Sequence, residues 1–255
     1  MSVVVRHLNC GWLHAPPNPR ASCHCLLVEA PAGLVLIDTG VGLRDVRDPE
    51  GRIGRDLIEL VGFQFREEDT ALRQVERLGF RADDVRDVVL THADPDHAGG
   101  LADFPHARVH LAAEELDAVR AGGARYLPTQ FAHGPRWEPH SDAGTTWFGL
   151  PARPLDLGAE AVLVPLFGHT RGHCGVAVRA GGRWLLHAGD AYYLRVELEH
   201  DDHPVSGLAA ARAEDNAARL AGIAELRRLV RDHAAEIDVI GYHDAGEFPP
   251  GWVEP

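Results

Sequence analysis

Apolar runs at residues 3–8, 22–30 and 34–38 predict three strands, the last two closed into a hairpin by Pro31-Ala32-Gly33. Runs at 85–90 (V-R-D-V-V-L), 107–111, 161–167 (A-V-L-V-P-L-F) and 237–242 predict four more, and 175–180 with 184–187 a hairpin over Gly181-Gly182. Helical spacing occurs in three places. Residues 69–78 put Leu72, Val75 and Leu78 on one face and stop at Gly79. Residues 112–121 are rich in Ala and Glu. Residues 207–235 carry an apolar face of Leu220, Ile223, Leu226, Leu229 and Val230, with Asn216 as an internal cap. Two stretches keep neither period. Residues 41–68, polar apart from 57–65, predict a loop with one short helix that forms a lid or substrate wall. Residues 122–158 hold Tyr126, Trp137 and Trp147 and predict irregular loops of a substrate pocket, with His133 and His140 on its wall or the surface rather than on a metal. No repeat, low-complexity tract or linker interrupts the pattern, so residues 1–255 fit one α/β domain.

Several runs end on a histidine or an aspartate. After 85–90 comes T-H-A-D-P-D-H-A-G-G, which packs His92, Asp94, Asp96 and His97 into six positions, with Gly99-Gly100 allowing a sharp turn. Ionised aspartates are costly to bury without a partner, and imidazole with carboxylate suits Zn, Fe or Mn. His169, Asp190 and His243 each follow another predicted strand. One histidine at a strand end is usually structural. Four such events, on strands whose ends can share a sheet edge, point to a metal site. Asp38, in Asp38-Thr39-Gly40, either caps its loop or holds a metal-binding imidazole through a hydrogen bond.

Composition narrows the chemistry. The net charge of −13 repels phosphate backbones, so no nucleic-acid partner is expected. Every basic side chain is arginine, which excludes a lysine nucleophile or Schiff base. There is no G-x-S-x-G elbow. Cys10, Cys23, Cys25 and Cys174 form no C-x-x-C pair and read as reduced thiols, Cys23 and Cys25 sharing one face of their strand. Without a signal-like start or a membrane-length apolar run, the expectation is a cytoplasmic protein acting on a small molecule away from membranes.

Taken jointly, these motifs resemble the metallo-β-lactamase-fold superfamily, in its glyoxalase II and lactonase-like branch. The usual H-x-H-x-D-H reads here His92-x-Asp94-x-Asp96-His97, and G-H-T-x-G-H stands unchanged as residues 168–173. Asp190 in G-D-A matches the bridging aspartate, and His243 the last ligand. The resemblance implies an αββα sandwich of two mixed β-sheets flanked by helices. It implies two divalent cations, one on His92, Asp94, His169 and Asp190, the other on Asp96, His97, Asp190 and His243. Zinc is the first expectation; Asp94, harder and more negative than the usual histidine, opens Fe or Mn. Asp38 and His173 match supporting or loop-shaping positions. Catalytic roles fall to Asp190, to Asp96 as orienting group or proton acceptor, and to Tyr193, with Tyr192 as its alternative, for polarising substrate. The implied reaction is hydrolysis of a lactone, ester or thioester by metal-activated water. The alternatives are phosphodiester cleavage or diiron redox chemistry on the same fold.

Overall fold

The computed structural model describes residues 3–253. Its strands are β1 (Val4–Leu13), β2 (Ala21–Ala30), β3 (Gly33–Ile37), β4 (Phe63–Gln64), β5 (Val85–Val89), β6 (Arg108–Ala112), β7 (Arg136–His140), β8 (Thr145–Trp147), β9 (Leu150–Asp156), β10 (Glu160–Pro165), β11 (Cys174–Ala180), β12 (Arg183–His187) and β13 (Ile237–Ile240). They form a seven-stranded sheet in the order β4-β1-β2-β3-β5-β6-β7 and a six-stranded sheet in the order β13-β12-β11-β10-β9-β8. Both are mixed: β3, β5, β6 and β7 run parallel, as do β12 and β13, and the remaining neighbours are antiparallel.

The period-2 alternation of strands explains the layering. In β2 and β3, Leu26, Val28, Val35 and Ile37 point to one core, while Cys25, Leu27, Leu34 and Leu36 point to another. In β10 and β11, Leu163, Val176 and Val178 join the first group, and Val162, Val164 and Ala177 face away from it. The shared core therefore lies between the sheets. Each outer face is covered by helices, such as Asn216–Asp232, which buries Ile223, Leu226 and Leu229. The result is an αββα sandwich. The four cysteines are buried and unpaired, with Cys10, Cys23 and Cys25 together in one outer core. Among the described residues no helix is long and apolar enough to cross a membrane.

Several elements depart from the pattern. The first strand runs on to Leu13 because a bulge between Asn9 and Trp12, at Gly11 with φ +144°, absorbs the misfit. Residues 41–68 hold three short helices (Leu43–Arg47, Pro49–Arg52 and Arg55–Val61) and β4, rather than one helix in a loop. The helix expected at 69–78 is Ala71–Arg77, capped by Thr70, and Leu78 falls outside its buried face at 38% exposure. Residues 207–235 split into Pro204–Arg212 and Asn216–Asp232. The second cap is Asp215, which accepts from the Ala218 amide, not Asn216, and Leu220 is 49% exposed. The largest correction is 122–158. Its high polar and proline content hides β7 and β8, the edge strands of the two sheets, and β9 next to β8, whose three residues leave part of β9 unpaired on that side.

Within β1, β2 and β12, His7 Nδ1 lies 2.8 Å from His24 Nε2, His24 stacks on Phe248, and His187 Nε2 donates to the His24 carbonyl. Burial lowers all three, His7 to about 4. The unfolded chain therefore takes protons near pH 6.5 that the folded chain refuses until lower pH. The stability these three histidines contribute is full above pH 6.5 and is lost on acidification towards pH 4. In chelator-treated protein the thermal midpoint should fall over that window, and His7→Gln should flatten part of the fall. An unchanged slope in that variant would contradict the assignment.

Candidate metal centre

The topology dictates where the site forms. β3 and β5 are parallel, so Asp38 and residues 91–97 leave the same edge of their sheet. In the other sheet, β10 is antiparallel to β11 and β11 to β12, so β10, β12 and β13 all point one way. Their ends deliver residues 166–173, 188–193 and 241–244 to one edge. Direct bonds join the two sheets there: the Cys174 amide donates to the Thr91 carbonyl at 2.9 Å and the Ser22 amide to the His243 carbonyl at 3.1 Å.

All seven residues singled out for metal come together. His92 Nε2 is 3.5 Å from Asp94 Oδ2, which is 3.2 Å from His169 Nε2. His97 Nε2 and His243 Nε2 each lie 3.7 Å from Asp96 Oδ2. Asp190 sits between these groups: Oδ2 is 3.4 Å from His169 Nε2 and 3.3 Å from His243 Nε2, and Oδ1 is 3.3 Å from His97 Nε2. Three sets have donor atoms within 4.8 Å of one another: His92-His97-Asp190, His92-Asp94-His169 and Asp96-His97-His243.

Neighbours aim these donors. Asp38, at φ +55°, accepts from the Thr91 amide and hydroxyl and from His97 Nδ1, each at 2.8 Å, which turns His97 Nε2 inward. Of the two readings of Asp38, the geometry favours the one that holds an imidazole, and its positive φ marks a backbone position kept despite strain. His243 Nδ1 is 2.8 Å from the Ser22 carbonyl. His173 shapes the loops: Nδ1 meets the Leu166 carbonyl at 2.9 Å, and Nε2 accepts from the Asp190 amide at 2.9 Å. Two glycines permit the turns. A Cβ on Gly168 (φ +133°) would sit 2.3 Å from the Arg219 amide nitrogen, and one on Gly189 (φ +54°) 2.6 Å from His173 Nε2.

The electrostatics call for positive charge. Burial alone would raise the Asp190 carboxyl, but His243, His97 and His169 hold it well below the usual carboxylate range. Burial would lower His97 and His243, yet Asp190 in both cases, with Asp38 and Asp96 for His97, pushes them up. His92 Nε2, His97 Nε2 and Asp190 Oδ1 are buried, face this cluster and make no hydrogen bond. Buried polar atoms are rarely left so, and a nitrogen-oxygen donor set of this kind fits divalent transition metals.

Tyr193 is wedged against the cluster, its ring 5.1 Å from His243 and 6.0 Å from His169. Tyr192 turns into the core and donates to Glu247 at 2.9 Å, away from the cluster. A cavity of about 330 Å³ opens over Asp94 and Asp96, walled by Leu57, Val61 and Phe63 on one side and Arg125 and Arg212 on another. Of residues 41–68, where a lid or substrate wall is expected, Leu57, Val61 and Phe63 line this cavity. His133 and His140 stand apart, His140 paired with His110 at 3.0 Å.

Three supporting residues escaped the sequence reading. Glu115 is fully buried and accepts from the Ala93 amide, the Thr170 hydroxyl, the Gly172 amide and the Tyr126 hydroxyl. Tyr242 stacks on His97 at 3.7 Å and donates to the Asp96 carbonyl. Arg125 Nε lies 3.1 Å from Asp94 Oδ1.

Residues 18–237 match the family model described as the metallo-beta-lactamase superfamily. The chain belongs to that superfamily. A probable metallo-hydrolase of Mycobacterium tuberculosis is 50% identical over 204 residues, 77% of this chain and 65% of that protein, so the match leaves about a third of the relative uncovered. The N-acyl homoserine lactonase AttM of Azorhizobium caulinodans is 27% identical over 242 residues, covering 89% of this chain and 86% of the relative. Among solved structures, an N-acyl homoserine lactone hydrolase with the product N-hexanoyl-L-homoserine at its catalytic metal centre superposes with a TM-score of 0.74 at 20% identity, over 97% of this chain and 96% of that one. At that identity the likeness speaks for the superfamily's fold, the αββα sandwich of two mixed sheets.

Proposed function

We propose that this superfamily member is a metal-dependent hydrolase that opens a lactone, or cleaves a related ester or thioester, in a small molecule. The observation that carries the reading is the juxtaposition of His92-Asp94-His169 and Asp96-His97-His243 about Asp190, with Asp94 and Asp96 lining a cavity that has an apolar wall. In this reading the first trio and Asp190 hold one divalent cation, and the second trio and Asp190 the other. Zinc suits the four imidazoles, and the three carboxylates also accept Fe or Mn. The cations supply a Lewis acid and lower the pKa of water.

The chain's own groups do the rest. Leu57, Val61 and Phe63 bind the apolar part of the substrate and exclude water. Asp96, whose carboxylate borders the cavity, orients the attacking water and takes its proton. The Tyr193 side chain beside His169 and His243 polarises the substrate carbonyl; burial and then Asp190 and Asp94 raise its phenol, which keeps the donating proton in place at neutral pH. The lactonase relative supports a lactone over other esters.

The test is turnover by zinc-, manganese- and iron-loaded protein on parallel panels of acyl lactones, thioesters and phosphodiesters. Lactone hydrolysis that is lost to chelator and restored by metal is the expected result. Activity confined to phosphodiesters, or visible absorption of a diiron centre without hydrolysis, would replace the proposal.

A further inference from the structure

Asp94 is the one departure from the usual histidine motif, and the structure gives it a partner of opposite charge. The Arg125 side chain, 14% exposed, is held from several sides. Nε lies 3.1 Å from Asp94 Oδ1, Nη1 donates to the His169 carbonyl at 2.6 Å, and Nη2 donates to the Arg212 carbonyl at 2.7 Å. Glu214 is a more distant neighbour, 3.7 Å from Nη1. The Asp94 carboxylate is thereby divided. Oδ1 faces the guanidinium, and Oδ2 faces His169 Nε2 at 3.2 Å and His92 Nε2 at 3.5 Å. A fixed guanidinium this close to a cation site, its Nη2 3.5 Å from His169 Nε2, is unfavourable unless a carboxylate offsets its charge.

We propose that Arg125 is a positioning residue that makes Asp94 serve in place of a histidine: it leaves the carboxylate a single inward oxygen and offsets its charge, so that the pair carries the net charge of a neutral imidazole. The added-charge argument for Fe or Mn then falls away, and only the hardness of an oxygen donor separates this site from the usual one. The inference rests on the reading of His92, Asp94 and His169 as donors to one cation.

The two single variants do not weigh equally. Asp94→His leaves Arg125 beside the cation with only the exposed Glu214 as counter-charge, and Asp94→Asn does the same with less change of shape. Each should weaken binding of one zinc ion ~10- to 100-fold, the scale seen when a partner of a metal ligand is lost. Removing the arginine from the first variant, as Asp94→His with Arg125→Gln, should recover at least about tenfold. If Arg125 were only a loop anchor, its removal would weaken binding further in either background, which is the opposite sign.

The measurement is zinc titration of metal-free protein against a chromophoric chelator competitor, with bound metal counted by elemental analysis. The thermal midpoint in excess chelator serves as the control. Arg125→Gln should lower that midpoint in both the parent chain and the Asp94→His background, because the bonds to the His169 and Arg212 carbonyls are lost in both, and more in the parent chain, which also loses the ion pair with Asp94; recovered affinity in a less stable double variant then cannot come from better folding. A double variant weaker than Asp94→His, or Asp94→His and Asp94→Asn binding as tightly as the parent chain, overturns the inference alone. A parent chain that takes up no zinc, manganese or iron overturns the reading of the site and this inference with it.

Discussion

Asp190→Asn should abolish detectable turnover, lowering kcat/KM by about 10³-fold or more, the scale of losing a group that stabilises developing charge in a water-poor site. Asp190 is the member common to both proposed donor sets, within 3.4 Å of His169, His97 and His243. Asparagine keeps its shape and exchanges one donor oxygen for an amide that cannot bind a cation. It also removes the negative charge that draws positive charge, proton or metal, to the surrounding imidazoles. Steady-state kinetics with metal content of the same samples checks this. The expected variant keeps its circular dichroism and loses metal. Asp190→Asn with parental turnover and two metals would show that no cation depends on this carboxylate. The effect should exceed that of Tyr193→Phe, which removes one hydroxyl and leaves every donor in place.

Much of this centre is legible in the chain because of direction. Residues that follow the carboxyl ends of parallel strands gather at one edge, so His92, Asp94, Asp96, His97, His169, Asp190 and His243 can be grouped without knowing the packing of the helices. The sandwich is legible for a related reason. Apolar residues on both faces of β2, β3, β10 and β11 require a cover on each side, and each sheet has one face for its partner and one for helices. What stays hidden depends on tertiary register. β7 and β9 carry Pro139, Pro151 and Pro154, which read as loop until the strands are seen towards the sheet edges. Arg125 follows a Gly-Gly pair in a polar stretch, and nothing local separates it from a solvated arginine. Leu220 fails in the other direction, with the right spacing on a helix whose flank has no neighbour.

Glu115 is the costliest residue to have overlooked, and its replacement should be the most destabilising single change near the site. In sequence it is the second of two glutamates in the first turn of helix Ala113–Ala121, where acidic groups favour the helix dipole and normally face water. Here Glu114 reaches out to Arg153, and Glu115 turns inward with no exposure. Burial raises its carboxyl, while His92, the Thr170 hydroxyl and the Ala93 amide oppose the rise. Its two oxygens clasp the loop that carries His92 and the loop that carries His169, through Ala93, Thr170 and Gly172, and also take the Tyr126 hydroxyl next to Arg125. Glu115→Ala would strand four donors in a dry interior. The loss should be ~3–5 kcal/mol, as for breaking a buried charged partner, and should appear in the denaturant midpoint of metal-free protein. Glu115→Gln keeps one carbonyl acceptor but brings an amide that meets a backbone N–H and a single hydroxyl able to accept, so it should recover part of the stability and little of the activity. Those two losses separate roles: stability follows the number of acceptors at 115, whereas activity follows the spacing between His92 and His169. A Glu115→Ala variant as stable as the parent chain would mean that the two loops are held by the sheets alone.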